Sequence, residues 1–139
     1  MNKSDFNIKR DIPIIIFIII VFFLVFLVFF IEIIKKTKIA NSEKNFYIVK
    51  NILENENSKC KNKNNNWIFG QSCNEVPKTE NIAKFFNVNK RLINPYNKKN
   101  GVGDEPGSVH LYFHEKIMTL SIDIDVNGSI DIRHKIPFN

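Results

Sequence analysis

The most apolar part of the chain is an uninterrupted run near its start. Residues 12–31 read IPIIIFIIIVFFLVFLVFFI and contain no charged or polar side chain. About 20 residues at a rise of 1.5 Å form a helix of roughly 30 Å, which matches the hydrocarbon thickness of a bilayer. A signal peptide has a shorter apolar core, followed by small residues at a cleavage site. The pattern predicts an uncleaved transmembrane helix over residues 12–34, preceded by a short tail of residues 1–11.

After this run the hydrophobic pattern becomes periodic. Residues 32–55 contain no Gly or Pro. Steps of three or four residues separate the members of one series, Ile39, Ser42, Phe46, Val49 and Leu53. Such spacing places their side chains in a stripe along one helix. We predict that the apolar run and the stripe form a single helix of about 40 residues, and that its second half packs on a domain formed by residues 35–139.

Near the C-terminus apolar and polar residues alternate, which indicates β-strands with one buried face. A two-residue turn at Glu115-Lys116 and a three-residue turn over residues 126–128, with Gly128 in the left-handed region, keep all apolar side chains on that face. The pairs expected are Val109 with Ile122, Leu111 with Leu120, Phe113 with Met118, Ile122 with Ile132 and Ile124 with Ile130. The fold class predicted is α+β, a long N-terminal helix packed on a three-stranded antiparallel meander.

The middle of the chain is less regular. Residues 55–66 are polar and rich in Asn, which predicts a loop. Trp67 is expected to be buried, as large aromatic side chains usually are. A short helix is predicted over residues 80–87 with Thr79 as its N-cap, and a turn over residues 94–97, Asn-Pro-Tyr-Asn.

The chain carries a net charge of +6. Residues 35–139 contain 17 Lys or Arg and 11 Asp or Glu, so the excess lies on that side of the apolar run. Lys35, Lys36 and Lys38 form a cluster where the predicted helix meets lipid headgroups, which favours attraction to the membrane surface. No alternation of aromatic and basic residues accompanies the charge, so we expect no nucleic-acid partner. Both flanks of the run are basic, so charge does not orient the helix.

The two cysteines, Cys60 and Cys73, lie outside the apolar run and flank the polar loop. An even number of cysteines at this spacing favours a disulfide formed in an oxidising compartment, with free thiols in a cytosolic domain as the alternative. Closing a loop of about 14 residues stabilises by roughly 3 kcal/mol in the chain-entropy model. We therefore expect a single-pass protein of the plasma membrane with a cytoplasmic tail and an extracytoplasmic C-terminal domain.

The acidic segment over residues 123–130, DIDVNGSI, copies the first eight positions of an EF-hand loop. The twelfth position, which supplies a bidentate Glu in that motif, is His134 here. The alternation of the flanking residues favours a β-hairpin over an EF-hand. The predicted register sets Asp123 opposite Asp131, with Asp125 nearby, and this repulsion could be relieved by a weak Ca²⁺ site, by solvation, or by Arg133 and Lys135.

No group of residues has the spacing of a catalytic site. The predicted register places His110 and His114 on the outer face of the sheet and His134 on the inner face, so they do not form a metal triad. Gly101-Val102-Gly103 lacks the flanking strand and helix of a phosphate-binding loop, and Ser108 lacks the context of a nucleophile elbow. We expect no enzymatic activity and no cofactor.

The order of these elements resembles that of type IV pilins and pseudopilins. The segment over residues 46–60, FYIVKNILENENSKC, resembles the end of the long pilin helix, and residues 94–97 resemble an Asn-Pro-Tyr turn found in some pilins. The resemblance implies a structural subunit of a filament or secretion-type assembly, with other protein subunits and the lipid bilayer as partners. Residues 9–15, KRDIPII, differ from the Gly-Phe-Thr-Leu-Ile-Glu-like processing motif of that family. The alternative is a membrane-tethered binding module or an accessory subunit of an envelope complex.

Overall fold

A computed structural model of the protein describes residues 8–61 and 66–138, with side chains from residue 12 onward. Its elements are α1 (Ile8–Cys60), α2 (Thr79–Lys84), a π-helical turn (Phe85–Asn89), and the strands β1 (His110–His114), β2 (Ile117–Ile122) and β3 (Ile132–Pro137). The predicted α+β class, with a long N-terminal helix and a three-stranded antiparallel sheet, is confirmed. Residues 1–7 of the predicted tail and residues 62–65 of the predicted loop lie outside the described residues.

The chain divides into two compact units after Lys36. In the first unit every described side chain from Ile12 to Lys36 is exposed, including the whole apolar run. By length and composition, α1 is the one helix in the described part of the chain that could cross a membrane. Pro13 lies in its second turn.

In the second unit, residues 37–60 of α1 bury one stripe. Its buried members are Ser42, Asn45, Phe46, Val49, Leu53, Glu56 and Cys60. Their spacing of three or four residues agrees with the predicted amphipathic helix. The apolar members belong to one core with the inward side chains of the sheet, so the helix covers the sheet as predicted.

The helix extends five residues further than the sequence pattern indicates. Residues 56–60 belong to α1 and not to the predicted loop. Glu56 is buried, and its carboxylate accepts hydrogen bonds from the backbone N–H of Ile68 at 3.0 Å and from the ammonium of Lys59 at 2.8 Å. Cys60 continues the buried stripe and forms a disulfide. The distant partners among these, Ile68 and Cys73, stabilise a polar segment as helix.

The sheet has the order β1-β2-β3, and neighbouring strands are antiparallel. Three of the predicted pairs are present: Leu111 with Leu120, Phe113 with Met118, and Ile122 with Ile132. The two-residue turn at Glu115-Lys116 is confirmed by the pairing of His114 with Ile117. Val109 precedes the paired part of β1 and bridges Val102 in parallel.

The predicted three-residue hairpin between β2 and β3 is wrong. β2 ends at Ile122 and β3 begins at Ile132, so residues 123–131 form a longer loop and Ile124 does not pair with Ile130. In the predicted hairpin, backbone N–H groups of these residues would bond to the facing strand. In the loop they donate to side chains instead, and the N–H of Ile124 donates to the carboxylate of Asp131 at 2.8 Å. Asp and Asn side chains compete with regular structure in this way.

The short helix differs from its prediction in two details. Lys78 is the N-cap of α2 and makes no side-chain cap, so Thr79 is the first helical residue and not the N-cap. The predicted helix also changes to a π-helical turn at Phe85, where the N–H of Lys90 donates to the carbonyl of Phe85 at 3.2 Å. Both Phe85 and Phe86 are thereby buried.

A buried asparagine holds the segment between this turn and the sheet. The amide of Asn94 donates to the carbonyl of Pro106 at 2.8 Å and to the hydroxyl of Ser108 at 3.0 Å. Its side-chain oxygen accepts the N–H of Tyr96 at 2.9 Å, which closes the predicted turn over residues 94–97. Asn45 of α1 donates to the carbonyl of Ile93 at 3.0 Å, so the segment is bound to the helix as well.

Candidate functional site

The acidic loop between β2 and β3, residues 123–131, brings three carboxylates together. One oxygen from each of Asp123, Asp125 and Asp131 lies within 4.8 Å of the others. Asp123 is buried, Asp125 is half-buried and Asp131 is exposed. These are the three residues predicted to crowd together, although the loop that gathers them is longer than the predicted turn.

Backbone amides of the loop converge on these side chains. Asp123 accepts the N–H groups of Asn127 at 3.1 Å and of Gly128 at 2.7 Å, one on each carboxylate oxygen. Asp125 also accepts the N–H of Asn127, at 3.2 Å. Val126 and Gly128 have positive φ angles of 60° and 91°. Glycine adopts this conformation without steric cost, which explains its place in the turn.

The pKa of Asp123 shows how the loop tolerates a buried carboxylate. Burial acts to raise this pKa, but hydrogen bonds from the backbone N–H groups of Gly128, Asn127 and Val126, with a smaller side-chain interaction with Asp125, outweigh it. The net result is a pKa below the ordinary value. Bonds to the charged form favour ionisation in general, so Asp123 is held as a carboxylate.

Tyr96 connects the loop to the turn over residues 94–97. Its hydroxyl donates to the carbonyl of Ile124 at 2.5 Å. Burial, and then the negative charges of Asp125, Asp123 and Asp131, raise the pKa of Tyr96. The hydroxyl therefore stays protonated and keeps donating. The sequence carries no signal for this contact, because Tyr96 lies 28 residues before Ile124.

Carboxylate, amide and carbonyl oxygens are the ligands that Ca²⁺ prefers. Counted from Asp123, the EF-hand ligand positions one, three, five and nine are Asp123, Asp125, Asn127 and Asp131, and position six is Gly128. Position twelve does not contribute here, because Nε2 of His134 lies 2.7 Å from a carboxylate oxygen of Glu54 on α1. The weak Ca²⁺ site stays a prediction, and the loop is already held by its own hydrogen bonds.

Two basic residues, Arg133 and Lys135, follow this cluster in the sequence. Among the residues that the structure describes, no ion pair joins Arg133 or Lys135 to a carboxylate. Relief of the repulsion between the loop acids by these two residues therefore stays a prediction, as do solvation and the cation site. The alternation of β3 places both residues on the outer face of the sheet.

The other candidate residues are dispersed over the second unit. Cys60 and Cys73 form the predicted disulfide, with their Cα atoms 5.2 Å apart, and join the end of α1 to the segment before α2. Ser108 is buried against Asn94. The N–H groups of Gly101 and Gly103 donate to the carbonyls of Leu92 at 3.0 Å and Val109 at 3.1 Å, so they do not face a ligand.

The histidines are on opposite faces of the sheet, as predicted. His110 and His114 lie on the outer face of β1, whereas His134 pairs with Leu120 on the inner face. No family model, no curated protein and no solved structure matches this chain. Function is therefore inferred from the chemistry and geometry of the chain itself.

Proposed function

We propose that this protein is a single-pass membrane protein with a pilin-like domain, which acts as a structural subunit of a filament or secretion-type assembly. One observation carries the proposal. A single helix, α1, presents an apolar segment that is exposed on all sides and then a buried stripe that forms one wall of an α+β domain. A helix of this kind serves both as an anchor and as the scaffold of the domain that follows it.

The apolar segment requires a nonaqueous environment. All 20 side chains over residues 12–31 are exposed, and soluble proteins rarely leave so large an apolar surface in water. Lipid, or the equivalent helices of neighbouring subunits, would cover it. The segment contains no Gly, Ala, Ser or Thr, so close backbone packing through small residues is not available to it. Its phenylalanines suit contact with lipid or looser side-chain packing.

The disulfide supports an extracytoplasmic location for the domain. Disulfides persist in oxidising compartments and are rare in the cytosol. With the Cys60–Cys73 bond in the domain, the short tail before the membrane helix would be cytoplasmic. The anchor would then lie in the plasma membrane, with the lipid bilayer and other subunits as partners.

One observation favours a second candidate, a membrane-tethered binding module that does not form filaments. Residues 9–15, KRDIPII, contain no Gly after which a pilin-type peptidase could cleave, and residues 12–31 contain no Glu. A protein that keeps its tail would remain in the membrane as an anchored domain or as an accessory subunit of an envelope complex.

The mass of the mature N-terminus tests the proposal, combined with fractionation of the cells into sheared surface material, membranes and soluble protein. A terminus cleaved and methylated near the start of the apolar run, together with protein in the sheared or assembled fraction, is the expected result. An intact Met1 with protein only in the membrane fraction contradicts the filament role and supports the binding module.

A further inference from the structure

The outer face of the sheet consists of three cross-strand rows. The register places His110, Ser121 and Arg133 in the first row, Tyr112, Thr119 and Lys135 in the second, and His114, Ile117 and Pro137 in the third. All nine side chains are exposed or half-exposed, so no described part of the second unit covers this face.

This face is cationic. Its nine positions include Arg133 and Lys135 but no carboxylate. Within the described part of the chain, neither cation has an ion-pair partner. Acidic groups follow the strands at both ends. Glu115 lies in the turn at one end, 3.9 Å from Nε2 of His114, and the acidic loop lies at the other end. An anionic partner lying parallel to the strands would meet these acids at the strand ends. A partner lying across the strands would avoid them.

In the first two rows each of the three strands offers a different kind of contact. β1 presents flat rings, since Tyr112 is 64% exposed and its ring stacks on that of His114 with centroids 6.4 Å apart. β2 presents the hydroxyls of Thr119 and Ser121, and β3 presents the two fixed cations. Strands lie about 4.8 Å apart, so this track is about 10 Å long from β1 to β3.

We infer that the outer face of the sheet binds an acidic polysaccharide, whose carboxylate-bearing sugars lie across the three strands. A sugar ring could pack its apolar face on Tyr112, its hydroxyls could bond to Thr119 and Ser121, and its carboxylates could pair with Arg133 and Lys135. This binding goes beyond the proposed structural role and does not depend on filament assembly.

Other occupants fit the face less well. Nucleic acids gain affinity by pairing many phosphates with basic residues, and only two fixed cations are present here. Peptides bind through side chains inserted in pockets or by adding a strand to a sheet edge. The outer face is instead flat, and its only aliphatic side chains, Ile117 and Pro137, lie at one end.

The test measures binding by the full-length protein in zwitterionic phosphatidylcholine nanodiscs, so that lipid charge does not contribute. The probe is fluorescent polygalacturonate, a carboxylated polysaccharide, and dextran is the uncharged control. Arg133→Gln/Lys135→Gln is expected to weaken polygalacturonate binding by about tenfold or more, which corresponds to loss of about 1.4 kcal/mol or more. Tyr112→Ser is expected to weaken it as well, whereas Tyr112→Phe keeps the ring and is expected to bind as the parent does.

Lys44→Gln/Lys78→Gln is the matched control, because it removes two exposed positive charges elsewhere in the domain. It is expected to change the affinity less than about twofold, since separated surface charges are screened by salt. Fluorescence of Trp67, the only tryptophan and a buried one, verifies that each variant is folded.

Four results would overturn the inference. These are no binding of polygalacturonate by the folded parent protein, equal binding of dextran, an equal loss in the two double variants, or tighter binding of single-stranded DNA or polyglutamate than of polygalacturonate. The last result would assign the face to a nucleic acid or to an acidic peptide.

Discussion

A single carboxylate decides where the second strand ends. Asp123 follows Ile122 directly and is only 9% exposed, yet both of its oxygens accept backbone N–H groups of the loop that follows. Hydrogen bonds to a charged acceptor are stronger than bonds between neutral groups. The loop over residues 123–131 is therefore organised around Asp123, and the tighter hairpin that the alternation predicts does not form.

Replacing this carboxylate should destabilise the domain. Asp123→Asn removes the charge and one of the two acceptor oxygens, so the N–H of Asn127 or of Gly128 loses its charged acceptor on Asp123. We expect the free energy of unfolding to fall by about 1–3 kcal/mol. Urea unfolding of the full-length protein in a nonionic detergent, followed by Trp67 fluorescence, measures this change. Asp104→Asn, at an exposed position, should change it by less than about 0.5 kcal/mol. Equal effects of the two substitutions would contradict the role of Asp123.

The lowered pKa of Asp123 predicts the pH dependence of stability. The unfolded chain binds a proton at this position at a higher pH than the folded protein does, at about pH 3.9. The stabilisation is therefore complete above about pH 5 and is lost as the pH falls through about 4 and then through the lower pKa of the folded state. Urea midpoints measured between about pH 5.5 and 3 should decrease less in Asp123→Asn than in the parent protein. If the urea midpoints of the two proteins decreased equally as the pH falls, other carboxylates would account for the acid sensitivity.

At the scale of elements, stability comes from one helix face packed on one sheet face. Val49 and Leu53 of α1 are fully buried in the same core as Met118, Leu120 and Ile122 of β2. Burying a valine or leucine side chain contributes about 1.5–3 kcal/mol. Truncating a single side chain of the stripe should therefore lower the free energy of unfolding measurably, because a small domain is only marginally stable.

A pair of identical substitutions isolates the effect of this packing. Val49→Ala leaves a cavity at a fully buried position, whereas Val88→Ala is made at a position that is 63% exposed. We expect Val49→Ala to lower the free energy of unfolding by about 1.5–3 kcal/mol and Val88→Ala to lower it by less than about 0.5 kcal/mol. Urea unfolding followed by Trp67 fluorescence compares them, and similar losses would indicate that the stripe does not pack as described.

The disulfide should stabilise the end of the long helix. Cys60 and Cys73 are separated by 13 residues, and closing a loop of this length contributes about 3 kcal/mol in the chain-entropy model. Cys60→Ser/Cys73→Ser should lower the unfolding midpoint accordingly. In the parent protein, a maleimide should label neither cysteine after unfolding without reductant, and both after reduction. Labelling without reductant would contradict both the disulfide and the extracytoplasmic location inferred from it.

At the scale of the molecule, residues 12–31 are the apolar part of the one described helix long enough to span a membrane, and we expect them to act as the anchor. On an insertion scale an apolar residue contributes about −0.3 to −0.6 kcal/mol at the centre of a span, and an Arg costs about 2.5–3.5 kcal/mol. Three arginines therefore cancel most of the gain from the whole run. Arginine substitutions within the run therefore test the anchor without knowledge of the partner.

The triple variant Phe22→Arg/Val25→Arg/Val28→Arg is expected to lose stable insertion. Alkaline carbonate extraction should release much of it from membranes while the parent protein stays in the pellet. The control Val88→Arg/Ile93→Arg/Ile130→Arg places the same three charges at exposed apolar positions of the domain and should remain inserted. Release of both variants would contradict the assignment of residues 12–31 as the anchor.

Much of the architecture could be predicted from the sequence, because it depends on residues close together in the chain. The unbroken apolar run, the stripe from Ser42 to Leu53 and the alternation in the strands each reflect a local period, and the structure keeps all three. The two-residue turn at Glu115-Lys116 followed from the requirement that apolar residues share a face. The crowding of Asp123, Asp125 and Asp131 followed from the same alternation.

The errors occur where distant residues compete with local preference. Residues 56–60 are polar and were predicted as loop, but Ile68 and Cys73 supply partners that keep them helical. The hairpin prediction relied on alternation alone and did not include the backbone N–H groups that the loop carboxylates would attract. The contact of Tyr96 with Ile124 has no signature in the sequence at all.

The sequence by itself therefore determined an apolar helix long enough to span a bilayer, its amphipathic continuation, the pair of cysteines and the face that each strand buries. These features depend on hydrophobicity and period, which neighbouring residues specify. Only the tertiary structure decided where α1 ends, how the acidic loop is held and which charges on the outer face of the sheet have no ion-pair partner among the described residues. Those features depend on hydrogen bonds and distances between residues far apart in the chain, which no local pattern encodes.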